Sequence, residues 1–202
     1  MKKQINDIQK SSDIAAVYKT GGQRIACELF DWVETFVTAL VFVVILFTFI
    51  FRVVTVDGSS MQQTLQHKEK LLLSSVDYTP KNGDIIVLQK LDHYKYPLVK
   101  RVIATEGQTV DIDFDTWKVM VDGKVIDEPY VNFEQGMPML RGNLTYPLTV
   151  SKGHVFVMGD NRNHSSDSRS FGLVDSRHIL GKVLIRLLPL NKFGKVLPAT
   201  QG

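Results

Sequence analysis

Three stretches of this sequence, far apart in the chain, carry side chains that could do covalent chemistry. Asp57-Gly58-Ser59-Ser60-Met61 offers two adjacent hydroxyls. Tyr96-Pro97-Leu98-Val99-Lys100-Arg101-Val102-Ile103 sets two bases in a strand-like apolar run. Gly159-Asp160-Asn161-Arg162-Asn163-His164-Ser165-Ser166-Asp167-Ser168-Arg169 gathers acids, amides and hydroxyls in one polar segment. A serine hydroxyl becomes a nucleophile only with a base beside it. Of the five histidines, His164 alone sits among such neighbours, and no G-x-S-x-G elbow accompanies it.

Lysine is the other established partner of a serine. An ordinary lysine titrates near ~10.4, and bringing it to about 8 costs about 3.3 kcal/mol, which burial against an apolar wall can supply. Strand side chains alternate with period two, so Leu98, Lys100 and Val102 share one face while Val99, Arg101 and Ile103 share the other. One of the two adjacent bases then points into apolar company. Each stretch also has a plainer reading: a Gly-Ser linker, an edge strand with both charges in water, and a polar turn segment. Residue types and spacing leave both sets open. In the loop, Asp167 and Arg169 are close enough to pair across a turn, and Ser165 and Ser168 could orient an amine.

The elements that must position these groups read as β-strands. Short β-branched runs separated by turn residues occur at 70–76, 84–89, 97–105, 109–113, 154–159 and 181–188. Residues 117–120 and 124–126 flank Val121-Asp122-Gly123, whose Asp-Gly pair suits a hairpin. The segment 129–147 is richer in Pro, Gly and Asn and reads as irregular. Upstream, residues 35–51 (TFVTALVFVVILFTFIF) carry no charge and are bounded by Glu34 and Arg52. A membrane-spanning helix needs roughly 17–25 such residues, and Trp32 and Arg52 suit its two interfaces. The run is too long, and too far from the N-terminus, for a cleaved secretory signal, and no A-x-A site follows it. Lys2, Lys3, Lys10, Lys19 and Arg24 precede it and favour a cytoplasmic N-terminus.

The chain has 202 residues, 44% of them hydrophobic, and a net charge of +3, without the basic stripe of a nucleic-acid binder. One cysteine, Cys27, makes no internal disulfide, and no histidine or cysteine spacing suggests a metal. The expected organisation is an N-terminal arm at 1–31, a transmembrane signal-anchor helix at 32–54, and a mainly β domain at 55–202 with a small insertion around 113–150.

Taken in order, these residues resemble the bacterial type I signal peptidases, membrane-bound Ser-Lys peptidases that release secreted proteins from their signal peptides. The resemblance runs through Gly58-Ser59-Ser60-Met61 with Thr64-Leu65, Gly83-Asp84-Ile85-Ile86-Val87, Lys100-Arg101-Val102-Ile103 with Gly107, Asp122-Gly123 with Glu128-Pro129-Tyr130, and Gly159-Asp160-Asn161-Arg162 with Ser165, Asp167, Ser168 and Arg169. It implies Ser60, the serine directly before Met61, as nucleophile and Lys100 as general base. It implies Ser165 as the hydroxyl that orients the lysine, Asp167 and Arg169 as a salt bridge, and Asp160 and Asn161 as the start of the supporting loop. The oxyanion region would be Gly58, Ser59 and Ser60, with the Ser60 N–H as a donor. Met61, Leu98 and Val99 are candidates for shallow substrate pockets that accept small side chains. No cofactor is implied, and the implied partners are signal peptides of preproteins, the lipid bilayer and the secretion translocon. Two departures stand out: Gln63 replaces the proline of the family pattern Ser-Met-x-Pro-Thr-Leu, and Gly58 replaces a serine that some members carry. A non-catalytic relative acting in surface assembly and an enzyme specialised for precursors such as pilins are the alternatives.

Overall fold

The computed structural model describes residues 21–49, 51–74, 78–89 and 96–196. Two compact units divide the chain, residues 1–49 and 50–202. The first contains one long helix, α1 (Gly21–Phe49). Of the arm expected at residues 1–31, residues 1–20 lie outside the described residues, and residues 21–31 belong instead to α1. Side chains along α1 are described without a break over 28–45, and all of them are exposed. Leu40, Val41, Phe42, Val43, Val44 and Ile45 follow one another, so at about 100° per residue they cover the whole circumference. Among the described residues, no helix is long and apolar enough to cross a membrane. That stretch of α1 includes Glu28, Asp31 and Glu34, while the side chains of Leu46, Phe47 and Phe49 lie outside it.

The expected helix over 32–54 needs correction at its end. Residues Phe51–Thr55 form a strand, β1, antiparallel to β2 (Lys70–Ser74), with Val53 opposite Leu72 and Val54 opposite Leu71. An apolar run without periodicity does not distinguish helix from strand; the β-branched Val53, Val54 and Thr55 and a partner strand decide it here.

The remaining strands are β3 (Ile85–Leu88), β4 (Leu98–Thr105), β5 (Thr109–Asp113), β6 (Lys118–Val121), β7 (Lys124–Val125), β8 (Leu148–Thr149), β9 (His154–Met158), β10 (Val174–Asp175), β11 (Ile179–Leu188) and β12 (Gly194–Lys195), with a one-turn helix α2 (Ser168–Phe171) after β9. The fold is mainly β. The main sheet runs β1-β2-β11-β3-β4-β9-β10, with β12 also on β11, and a smaller sheet runs β7-β6-β5-β8. All described pairings are antiparallel. The Asp122-Gly123 turn joins β6 to β7 with both φ positive, 53° and 75°, as a type I′ hairpin requires. The insertion starts earlier than expected, because β5 already belongs to the smaller sheet.

Burial alternates along the strands and divides the core. Ile85 and Val87 pack with Val56, Leu65, Leu71, Leu73 and Val183. Ile86 and Leu88 face the other way, onto Val102, Val155, Val157 and Val174. β3 is thus buried on both faces, which explains its unbroken apolar sequence. A third cluster joins the sheets, with Ile103, Ala104, Phe156 and Met158 meeting Val110, Ile112, Val119 and Val121. Residues 126–147 wrap this cluster largely without regular structure, tied down by the Trp117 indole N–H on the Met137 carbonyl (2.8 Å) and the Met139 N–H on the Phe114 carbonyl (2.7 Å).

Candidate active site

The central strand β4 delivers both bases to buried positions. Lys100 is 2% exposed and Arg101 5%. Where the alternation of a strand leads one to expect a single base in apolar company, both adjacent residues are enclosed. Their fates differ because only Arg101 meets a carboxylate. Its guanidinium grips Asp160 with two bonds of 2.9 and 2.7 Å, donates to the Gly83 carbonyl at 2.9 Å, and lies 3.7 Å from the Tyr130 ring centre. Burial opposes its charge, but the bonds and charge of Asp160 outweigh this and raise its pKa. Asp160 also accepts the Thr64 hydroxyl, so one carboxylate ties β4 to the segment just past Ser60.

Lys100 has no carboxylate within hydrogen-bonding distance. Its Nζ bonds to Ser60 Oγ at 2.8 Å. Burial pushes its pKa down to about 8, partly opposed by the charges of Asp167 and Asp160 and assisted by Arg169. Near neutrality a usable fraction of this amine is uncharged, whereas an exposed lysine is almost wholly protonated. A hydroxyl and a depressed amine in direct contact can transfer a proton, which is the first requirement for acyl transfer.

The Ser60 loop is held from the loop after β9. The Asn161 N–H donates to the Ser60 carbonyl at 3.0 Å and its Nδ2 to the Ser59 carbonyl at 3.1 Å. Gly159 runs so close beneath that a Cβ there would stand 2.5 Å from the Ser60 carbonyl oxygen and closer still to Ser165 Oγ. Only glycine permits this approach. Asp167 shapes the same loop. It accepts Arg169 Nε and Nη2, both at 2.8 Å, and the Gly159 N–H at 3.0 Å. Burial works against its charge, and Arg169 and Gly159 overcome that to keep its pKa low. Arg169 reaches on to the Leu140 carbonyl (3.0 Å) and the Arg162 carbonyl.

The remaining sequence candidates are distributed unevenly. Ser165 Oγ is buried and makes no hydrogen bond of standard geometry; its influence on Asp167 is the weakest of the groups favouring that carboxylate. Ser168, the other hydroxyl considered for the lysine, instead accepts the Val157 N–H at 2.9 Å. Met61 is 1% exposed and belongs to the core with Leu65 and Leu71. Leu98 and Val99 face opposite sides of β4. Leu98 packs with Ile86 and Val102, and Val99 lines an apolar cleft of ≈ 450 Å³ with Val54, Val56, Val87 and Pro97. Gly58 has φ 101°, a conformation that strains a serine, although a Cβ there would meet nothing within 4 Å. Its N–H donates to His67 Nδ1 at 3.3 Å. No hydrogen bond within the described residues uses the Ser60 N–H, which leaves it available as a donor. Sequence patterns miss the buried Arg162–Glu128 pair and the Thr64–Asp160 bond. Arg162 sits in a polar segment that reads as surface, and Glu128 is remote from it in sequence. Among the described residues, no group of His, Cys, Asp or Glu side chains could hold a metal.

Comparison with known proteins supplies the lineage. Residues 29–188 match the family model described as signal peptidase, peptidase S26. "Signal peptidase I" of Bacillus licheniformis is 35% identical over 179 residues, covering 83% of this chain and 92% of that protein. "Signal peptidase IB" of Staphylococcus aureus is 34% identical over 181 residues, covering 82% and 93%. A solved signal peptidase I from Enterococcus faecalis is 29% identical with a TM-score of 0.45, covering 52% of this chain and 97% of that one. With four-fifths of its length shared with curated signal peptidases, this chain belongs to the signal peptidase family, peptidase S26, and is a serine peptidase.

Proposed function

We propose that the protein is a membrane-anchored endopeptidase that removes signal peptides from exported preproteins, with Ser60 as nucleophile and Lys100 as general base. The observation that carries the dyad is the 2.8 Å contact between a buried, depressed amine and the Ser60 hydroxyl. Neutral Lys100 takes the Ser60 proton as Oγ attacks the scissile carbonyl. The oxyanion draws on the Ser60 N–H, since the Gly58 N–H is already committed to His67. Protonated Lys100 then gives its proton to the leaving amine as the C–N bond breaks. Water, deprotonated by the same lysine, hydrolyses the acyl-enzyme, and the proton returns to Ser60. The cleft beside Val99 suits small apolar substrate side chains.

Anchoring is supported by α1, whose apolar residues 40–45 are exposed on every side, and by the uncharged run 35–51. The basic residues before it favour an N-terminus in the cytoplasm and a catalytic domain outside.

The test is a preprotein with an Ala-x-Ala junction presented in lipid vesicles, with products read by mass spectrometry. A single cut after the second alanine is expected. Since Lys100 loses its base function as it protonates, kcat/KM should fall below pH 8 and stand about a hundredfold under its plateau at pH 6. No cut at the junction, or a flat profile from pH 6 to 8, would sink the reading.

A further inference from the structure

Gln63 occupies the position where the family pattern has proline, and the structure gives it a different job. Its Nε2 donates to Asn132 Oδ1 at 3.1 Å, Asn132 Nδ2 donates to Asn161 Oδ1 at 3.3 Å, and Asn161 Nδ2 donates to the Ser59 carbonyl at 3.1 Å. The direction of this ladder is set at one end. A backbone carbonyl only accepts, so Asn161 must present its amine to Ser59 and its oxygen to Asn132, and the same logic orients Asn132 toward Gln63. Asn132 is fixed by its own N–H on the Asp160 carbonyl at 3.0 Å. Gln63 and Ser59 flank Ser60 in sequence, so the ladder closes a ring across the segment that carries the Ser60 hydroxyl.

We propose that Gln63 and Asn132 are positioning residues that hold Ser60 against Lys100, supplying by directional hydrogen bonds the restraint that a proline supplies through its fixed φ. The inference rests on the Ser60–Lys100 reading. It makes a prediction about polarity that simple packing does not make: Gln63→Glu, which presents only acceptors to Asn132 Oδ1, cannot be accommodated by flipping the amides, because the flip ends with two carbonyl oxygens facing each other at Ser59.

The experiment measures kcat, KM, unfolding midpoint and hydrogen exchange of residues 59–63 in full-length Gln63→Met, Gln63→Glu, Asn132→Asp and Gln63→Met/Asn132→Asp. Losing one such bond should lower kcat about fivefold in Gln63→Met, with KM within about twofold. The midpoint should stay put, because Gln63 is exposed. Gln63→Glu should be at least as slow, and the double variant no slower than Asn132→Asp alone. Exchange at 59–63 should quicken in each variant. Unchanged kcat with unchanged exchange, multiplying losses, or a kcat loss that only tracks a fallen midpoint would overturn the inference. If the wild type cuts no preprotein while exchange still responds, the peptidase reading fails and the positioning ladder stands.

Discussion

Lys100→Met is expected to abolish cleavage and at the same time make the folded chain more stable. Methionine matches the stem of lysine but carries no base, so the Ser60 proton has no acceptor, and kcat/KM should fall by about four orders of magnitude, as when one member of a nucleophile–base unit is removed. Ser60→Ala should be equally inactive. The stability effect follows from the depressed pKa. The folded state holds Lys100 near 8 against an ordinary value of 10.5, a difference of about 3.4 kcal/mol. The sign is that of a base buried against its preference. Between pH 8 and 10.5 the unfolded chain binds more protons than the folded one, so stability rises with pH across that window. Below pH 8 the penalty is present in full. Met removes it and forgoes one hydrogen bond to Ser60 worth about 1 kcal/mol, for a net gain of about 2 kcal/mol at pH 7. Denaturant midpoints from pH 7 to 10.5 check this. The variant should start higher and lack the part of the rise that Lys100 supplies. A less stable Lys100→Met would mean that the amine is not held in a dry site, and retained cleavage would remove it as the base.

Much of the scaffold is legible in the residues alone. β2, β3, β4, β5 and β9 fall inside β-branched runs bounded by turn residues, and the Asp122-Gly123 hairpin follows from two residues that tolerate positive φ. What escapes a reading of local pattern depends on contacts remote in sequence. β11 lies between β2 and β3, with two register shifts against β2 and one against β3, and no local pattern encodes that pairing. β1 is hidden because its residues continue an apolar run, and it takes the partner strand, added to the β-branched Val53, Val54 and Thr55, to distinguish it from helix. The site divides in the same way. Residue type leaves Ser59 beside Ser60 and Arg101 beside Lys100; the family resemblance singles out Ser60 and Lys100, and the structure brings those two together. Met61, in a suggestive position, lies in the core.

The supporting ion pairs are harder to read, for an electrostatic reason. Arg101, Arg162 and Arg169 are each almost fully buried, and each is paired, with Asp160, Glu128 and Asp167. Unpaired burial of such a charge costs several kcal/mol, so the partner decides whether the arginine goes inside. For Arg101 and Arg162 that partner lies well away in sequence. Lys100, enclosed by the same strand but left without a partner carboxylate, lowers its pKa instead. The neighbouring residues Lys100 and Arg101 thus show the two responses open to a buried base, a lowered pKa and pairing with an acid.

Gly159→Ala is expected to damage catalysis more than its size suggests. The added methyl would stand 2.5 Å from both Ser165 Cβ and the Ser60 carbonyl oxygen, and closer still to Ser165 Oγ. Gly159 has little room to retreat, because its N–H is bonded to Asp167 and its carbonyl accepts Arg162 Nε at 3.0 Å. The Ser60 carbonyl is held by Asn161, so relieving the contact must move Ser60, the supporting loop or both. Overpacking of this kind costs about 1–3 kcal/mol. A displacement of about 1 Å at a reacting group can cost about a hundredfold in rate, so kcat should drop by about that factor while the fold survives. Adding Ser165→Gly separates the two effects. Removing the serine side chain relieves both contacts with Ser165 and should restore much of the unfolding midpoint. The contact with the Ser60 carbonyl remains, so kcat of the double variant should stay well below that of Ser165→Gly alone. If Gly159→Ala keeps wild-type kcat, Ser60 does not depend on the close passage of the loop that follows β9. If the double variant matches Ser165→Gly, the damage ran through Ser165, and the Ser60 carbonyl was never displaced.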